Sequence, residues 1–140
     1  MIEYTHRVQY YETDKMGFAH HSNYIRWFEE ARLYFMDKIG MPYKTLENMG
    51  FFCPVLSVQC DYKKSTYFDD IVKIRVQLSE FGNVRHKFTY TIVDSDTEEI
   101  KASGETEHCV LNKEGHVISL KRKEPELFDK MISVLEPKQI

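Results

Sequence analysis

The stretch from Asn23 to Ile39 constrains the rest of the chain most strongly. Tyr24, Trp27, Phe28, Ala31, Phe35 and Ile39 follow one another at +3, +1, +3, +4 and +4, which places them on one face of a helix. A helix of about 17 residues is roughly 25 Å long. Its stripe is wide and aromatic, so most of its length has to be covered. Ser22 or Asn23 stands where a cap would open it, and Gly40 where a left-handed residue would end it. Pro42 and Gly50 bracket a short second helix.

What is available to cover that stripe is strand. Ile2, Tyr4, His6, Val8 and Tyr10 alternate with Glu3, Thr5, Arg7 and Gln9, a period of two. The same period returns from Phe51 to Val117. Leu56, Val58, Cys60 and Tyr62 form one set, Val72, Ile74, Val76 and Leu78 a second, and Phe88, Tyr90 and Ile92 a third. Ile100, Ala102, Gly104 and Thr106 begin a fourth that runs to Leu111. The breaks at Thr66–Asp70, Phe81–Asn83 and Asp94–Thr97 are short enough for antiparallel hairpins. After Pro125, Leu127, Phe128, Met131, Ile132 and Leu135 make a last helical stripe. The order predicts an α+β fold: a single curved antiparallel sheet wrapped around one long central helix, one face dry and one wet. A chain of 140 residues suits one domain over 1–140, with a core of about 2–120 and a C-terminal helix of about 125–135.

A formal charge of -3 gives no overall attraction to nucleic acid or anionic lipid, and no basic recognition helix is present. No run approaches the ~20 apolar residues of a transmembrane helix, and no signal peptide is expected. Cys53, Cys60 and Cys109 are odd in number and lack a CxxC pair, which favours a reducing, cytoplasmic setting.

Chemistry concentrates between Tyr11 and Tyr24. Asp14, Gly17, His20 and His21 lie in a loop leading into the buried helix, whose N-terminus carries free N–H groups and roughly half a positive charge. Such a terminus can hold a carbonyl oxygen as it becomes negative. Gly17 allows the reversal that folds Asp14 back over it, where the carboxylate could attack a carbonyl or take a proton from water. The plainer reading is an Asx turn. A metal on Asp14, His20 and His21 is not expected, because neighbouring histidines usually point apart and no third soft ligand is near. Cys109 has no evident base and reads as a small buried hydrophobe.

Tyr11-x-Thr13-Asp14-x-x-Gly17-x-x-x-His21-x-x-Tyr24, followed by Glu29-x-Ala31-Arg32, resembles the signature of the 4-hydroxybenzoyl-CoA thioesterase family of the hot-dog superfamily, most nearly its branch of small bacterial acyl-CoA thioesterases. Val58-x-x-Asp61-Tyr62 stands where members carry a similar strand. The resemblance implies a hot-dog fold and hydrolysis of acyl-CoA without a cofactor. It assigns Asp14 as nucleophile or general base, the carbonyl-polarising amide at or next to His21, and an orienting imidazole on His21. Asn23 and Tyr24 would shape the helix start, and Glu29 and Arg32 would serve structure or an interface. CoA brings phosphates, and Lys63, Lys64, Arg85 and Lys87 are the candidate cations, although both clusters also read as solvated strand ends. Where some relatives carry an arginine-rich turn, this chain has Gly82-Asn83-Val84. The family pairs its subunits, so a homodimer or homotetramer is expected, with edge pairing removing an exposed strand. Two other readings stand beside hydrolysis: a non-catalytic acyl-CoA-binding module, and a hydratase or dehydratase of the same superfamily. Trp27, Phe28, Phe51 and Phe52 either wall an acyl group or belong to the core.

Overall fold

A computed structural model describes residues 1–137. Five strands form one antiparallel sheet: β1 (Ile2–Arg7), β2 (Val55–Tyr62), β3 (Ile71–Phe81), β4 (Arg85–Asp94) and β5 (Ile100–Cys109). Their spatial order is β1-β3-β4-β5-β2, so β1 and β2 are the two edges. The breaks at Phe81–Asn83 and Asp94–Thr97 are antiparallel hairpins as expected, with Val76 opposite Tyr90 and Tyr90 opposite Gly104. The break at Thr66–Asp70 is not a hairpin, because β2 and β3 are not neighbours in the sheet. β2 crosses over to pair with β5, Tyr62 opposite Ala102 and Val55 opposite His108.

Helix α1 (Ser22–Lys38) lies against this sheet. Trp27, Phe28 and Ala31 are wholly buried, and Tyr24 and Phe35 nearly so. Trp27 and Phe28 are thus core residues. Full burial of one such large apolar side chain contributes about 1.5–3 kcal/mol, so the stripe supplies much of what holds helix and sheet together. Phe28 stacks on Tyr90 with ring centres 4.3 Å apart. Gly104 makes that approach possible: a Cβ there would lie 2.7 Å from the Phe28 ring and 2.4 Å from the Gln59 carbonyl oxygen. Short α2 (Tyr43–Asn48), α3 (Leu120–Lys123) and α4 (Pro125–Ser133) close the end of the core around Leu46, Leu120 and Met131.

The sequence expectation fails at two further places. Ser22 and Asn23 do not cap α1. The helix starts at Ser22, whose amide donates to the His20 ring at 3.2 Å, while the Asn23 side chain reaches back to the Glu12 carbonyl at 2.8 Å. β2 also lacks the dry face that its alternation suggested. Val55, Leu56, Val58 and Tyr62 are all exposed, because no strand among the described residues pairs with the outer side of this edge.

Below α1, Arg32 is buried and donates to the Tyr90 hydroxyl at 3.0 Å and the Tyr43 hydroxyl at 3.3 Å. Tyr90 shares a 2.7 Å hydrogen bond with Thr106, which shares another of 2.7 Å with His108. His86 stacks on His108 at 5.2 Å. Burial and then the Arg32 charge lower the His86 pKa to about 4, and the same causes lower that of His108 to about 3. Both rings are therefore neutral at neutral pH.

Candidate active site

After β1 the chain passes through a single 3-10 turn, Tyr10–Glu12, and a bridge between Thr13 and Ala19 closes the loop that holds Asp14. The Asp14 amide donates to Phe18 O at 3.0 Å, and Gly17 N–H donates to Asp14 O at 3.0 Å. Gly17 turns the chain at φ +86, where an L side chain is strained. One Asp14 oxygen, Oδ1, accepts the Met16 amide at 2.8 Å. The Asx turn is therefore present. It occupies one oxygen and leaves Oδ2 without a hydrogen bond among the described residues.

Glu12 fixes this loop to both neighbouring elements. Its Oε1 meets His6 Nε2 and accepts the Gln9 amide, each at 2.8 Å, and its Oε2 accepts the Trp27 indole N–H at 2.7 Å. Its backbone carbonyl accepts His20 N–H and the Asn23 amide. Burial alone would raise the Glu12 pKa, but these donors outweigh it and hold the carboxyl below its ordinary value. On the other side of His6, Nδ1 lies 3.2 Å from Glu30.

The amides at the start of α1 are nearly all taken. His20 N–H goes to Glu12 O, Ser22 N–H to the His20 ring, Asn23 N–H to His20 O and Tyr24 N–H to His21 O. His21 N–H alone in this run has no acceptor among the described residues. The His20 and His21 rings lie 4.1 Å apart, so the two histidines do not diverge as expected. His20 Nδ1 is occupied by Ser22 Oγ at 2.8 Å. Among the described residues no group of three His, Cys, Asp or Glu side chains could hold a metal ion.

Asp14, Met16, Phe18, Ala19, His21, Tyr24, Tyr62, Lys63, Lys64 and Ser65 line an open cleft of about 240 Å³. Gly17 shapes the cleft only through its turn, and Asn23 only through its bond to Glu12. Tyr24 is buried beside it, 3.0 Å from the Thr66 hydroxyl. Tyr62 donates to His21 O at 3.0 Å, and loss of solvent around its phenol pushes the pKa up to about 12, so the hydroxyl keeps its proton. Arg85 and Lys87 stand apart from this cleft. Arg85 pairs with Glu107 at 3.1 Å, and Lys87 lies 4.0 Å from each of Glu80, Glu105 and Glu107.

Sequence reasoning missed Glu12 and Tyr62. A carboxylate that will be buried has no local signature, and Glu12 looks like any loop acid. Tyr62 had one usable signal: it ends an apolar alternation just before Lys63-Lys64.

An open carboxylate oxygen, an open helix-terminal amide, an imidazole and two ammonium groups thus meet in one cleft. Such a set suits attack on a carbonyl of an anionic substrate. Residues 8–133 match the thioesterase-like superfamily. An Aquifex aeolicus protein provisionally named an esterase is 38% identical over 125 residues, 89% of this chain and 95% of its own. The chain belongs to the thioesterase-like superfamily. A Bacillus subtilis relative with the provisional name acyl-CoA thioesterase is 29% identical over 108 residues, 76% of this chain and 77% of its own. The crystal structure of a DHNA-CoA thioesterase from Staphylococcus aureus superposes with a TM-score of 0.89 at 31% identity, covering 94% of this chain and 89% of that one. This thioesterase chain therefore has the hot-dog fold.

Proposed function

We propose that the protein hydrolyses acyl-CoA thioesters, releasing CoA and a free carboxylic acid, as a member of the small bacterial acyl-CoA thioesterase branch. The observation that carries this is the pairing, across one cleft, of a carboxylate with a free oxygen and a helix-terminal amide without an acceptor. A thioester carbonyl placed on His21 N–H would be polarised where the helix dipole also favours negative charge. Asp14 then acts in one of two ways. It attacks the carbonyl carbon, forming a mixed anhydride that water opens. Or it takes the proton of a water that attacks directly. In both routes the C–S bond breaks and CoA leaves as a thiolate, which needs no strong acid. His21 orients the carbonyl or leaving group, and Lys63 and Lys64 offer positive charge at the cleft mouth.

The working unit in this reading is at least a homodimer. β2 is an edge strand with apolar side chains exposed on both faces, and pairing with a second β2 would cover it. The cytoplasm is the proposed compartment. Cys53, Cys60 and Cys109 are free thiols, and no helix among the described residues is long and apolar enough to cross a membrane.

The test is CoA release from a panel of short, medium, long and aromatic acyl-CoAs at neutral pH. Turnover of at least one thioester is expected. Binding of CoA without turnover of any would make the protein an acyl-CoA-binding module instead.

A further inference from the structure

His21 stands at the head of α1 with helical dihedrals, φ -56 and ψ -29, so its N–H joins the positive end of the helix. Which way that N–H points depends on how the peptides on either side of His21 are held. The peptide that carries it also carries the His20 carbonyl, which accepts the Asn23 backbone N–H at 3.0 Å and the Asn23 side chain at 3.3 Å. The next peptide carries the His21 carbonyl. Its backbone donor, Tyr24 N–H, lies 3.3 Å away, the longest bond of this run. The Tyr62 hydroxyl donates to the same oxygen at 3.0 Å. The shorter hold on that side therefore comes from the sheet rather than from the helix.

Tyr62 is the last residue of β2, and the sheet sets its place. It lies opposite Ala102, and Lys63 and Lys64 just after it both donate to the Lys101 carbonyl, at 2.9 and 3.0 Å. Its ring meets the Tyr24 ring edge-on, with centres 5.0 Å apart, and the His21 ring at 6.1 Å. The phenol thus reaches α1 from a fixed strand and is packed where it arrives. With a pKa pushed up to about 12 by loss of solvent, it remains a donor to the His21 carbonyl at any ordinary pH. The side chain is still 46% exposed, because it forms one wall of the Asp14 cleft, so its hydroxyl can be removed without emptying the core.

We propose that Tyr62 is a positioning residue for thioester hydrolysis: by holding the His21 carbonyl it keeps the His21 N–H turned into the Asp14 cleft, where the thioester oxygen becomes negative. This rests on the acyl-CoA reading above and adds a residue to it. The Tyr62 hydroxyl is committed to the backbone and acts through it, not on the substrate. An N–H fixed in direction beforehand needs no reorganisation as charge develops, whereas one on a peptide free to turn stabilises that charge less. The benefit belongs to the transition state more than to the bound substrate, so kcat carries it and KM does not.

The test is Tyr62→Phe, which removes the hydroxyl and keeps the ring. On an acyl-CoA that wild type turns over, kcat is expected to fall about tenfold or more, toward the loss of an oxyanion donor removed outright, with KM within about twofold and the urea midpoint retained. Infrared difference spectra supply a readout that a general loosening of the fold would not move. A thioester labelled with carbon-13 at its carbonyl and bound to Asp14→Asn should absorb at lower frequency than in water. In the Asp14→Asn, Tyr62→Phe double variant part of that lowering should be lost. An unchanged kcat, or the same carbonyl frequency with and without the hydroxyl, overturns the proposal. If wild type releases CoA from no thioester, the hydrolase reading fails separately. The carbonyl frequency of the thioester bound to wild type and to Tyr62→Phe then decides the role of Tyr62, and a wild type that binds no thioester overturns it.

Discussion

Removing the Glu12 carboxylate would leave Trp27 Nε1, the Gln9 amide and His6 without their acceptor inside a closed structure. Glu12→Gln keeps the shape but turns an NH₂ toward groups that also donate. We expect it to cost about 2–4 kcal/mol of stability, since a buried donor left unsatisfied loses its full desolvation penalty, measured by urea unfolding; a loss under half that would mean the network is dispensable. The placement of Asp14 and His21 on one cleft, with Gly17 turning the loop between them, was legible in the sequence because their spacing is local and the turn needs a glycine. Glu12 was not legible, since its role comes from contacts with β1 and α1 that only folding assembles. Nor was the use of the His20 ring to receive the Ser22 amide. Propensity placed the cap on Ser22 or Asn23, and the tertiary bond from Asn23 to Glu12 took precedence.

At the scale of elements, the pleat and the helical period reported the core accurately wherever a strand had a neighbour on each side. Val72, Ile74, Val76 and Leu78, with Phe88, Tyr90 and Ile92, are buried as their alternation required. β2 departed because alternation marks a potential dry face but says nothing about what covers it. The strand order was also beyond reach, since pairing β2 with β5 is a choice of topology rather than of periodicity. β4 and β5 each carry an inward histidine that looks merely polar in the sequence. Because His86 has a folded pKa near 4 against an ordinary value of 6.5, the unfolded chain binds a proton first as pH falls. Stability is thus full above about pH 6.5 and declines below it, by about 1.4 kcal/mol per pH unit for each such histidine. Urea midpoints between pH 6.5 and 5 should show this slope, and His86→Phe should roughly halve it. A flat wild-type profile over that window would mean that the rings are not held neutral.

For the whole molecule, one helix covered by one sheet leaves β2 uncovered and the Asp14 cleft open on the same side. In the proposed dimer a second copy of the chain would meet both needs. Light scattering should give at least twice the 16.7 kDa chain mass. Val58→Glu, which puts charge on the exposed edge strand, should shift the protein toward single chains and lower its thioesterase activity with it. A wild-type mass equal to one chain would contradict the proposed dimer. The most direct test of the central claim is the rate of CoA release by Asp14→Asn beside wild type, on whichever acyl-CoA the wild type turns over. The asparagine side-chain oxygen can still accept the Met16 amide, so the turn is kept while the negative oxygen is lost. The account predicts a fall of about 100-fold or more in kcat with CoA binding retained, the usual contribution of a positioned acid–base group. A variant that hydrolyses the thioester at the wild-type rate would contradict it.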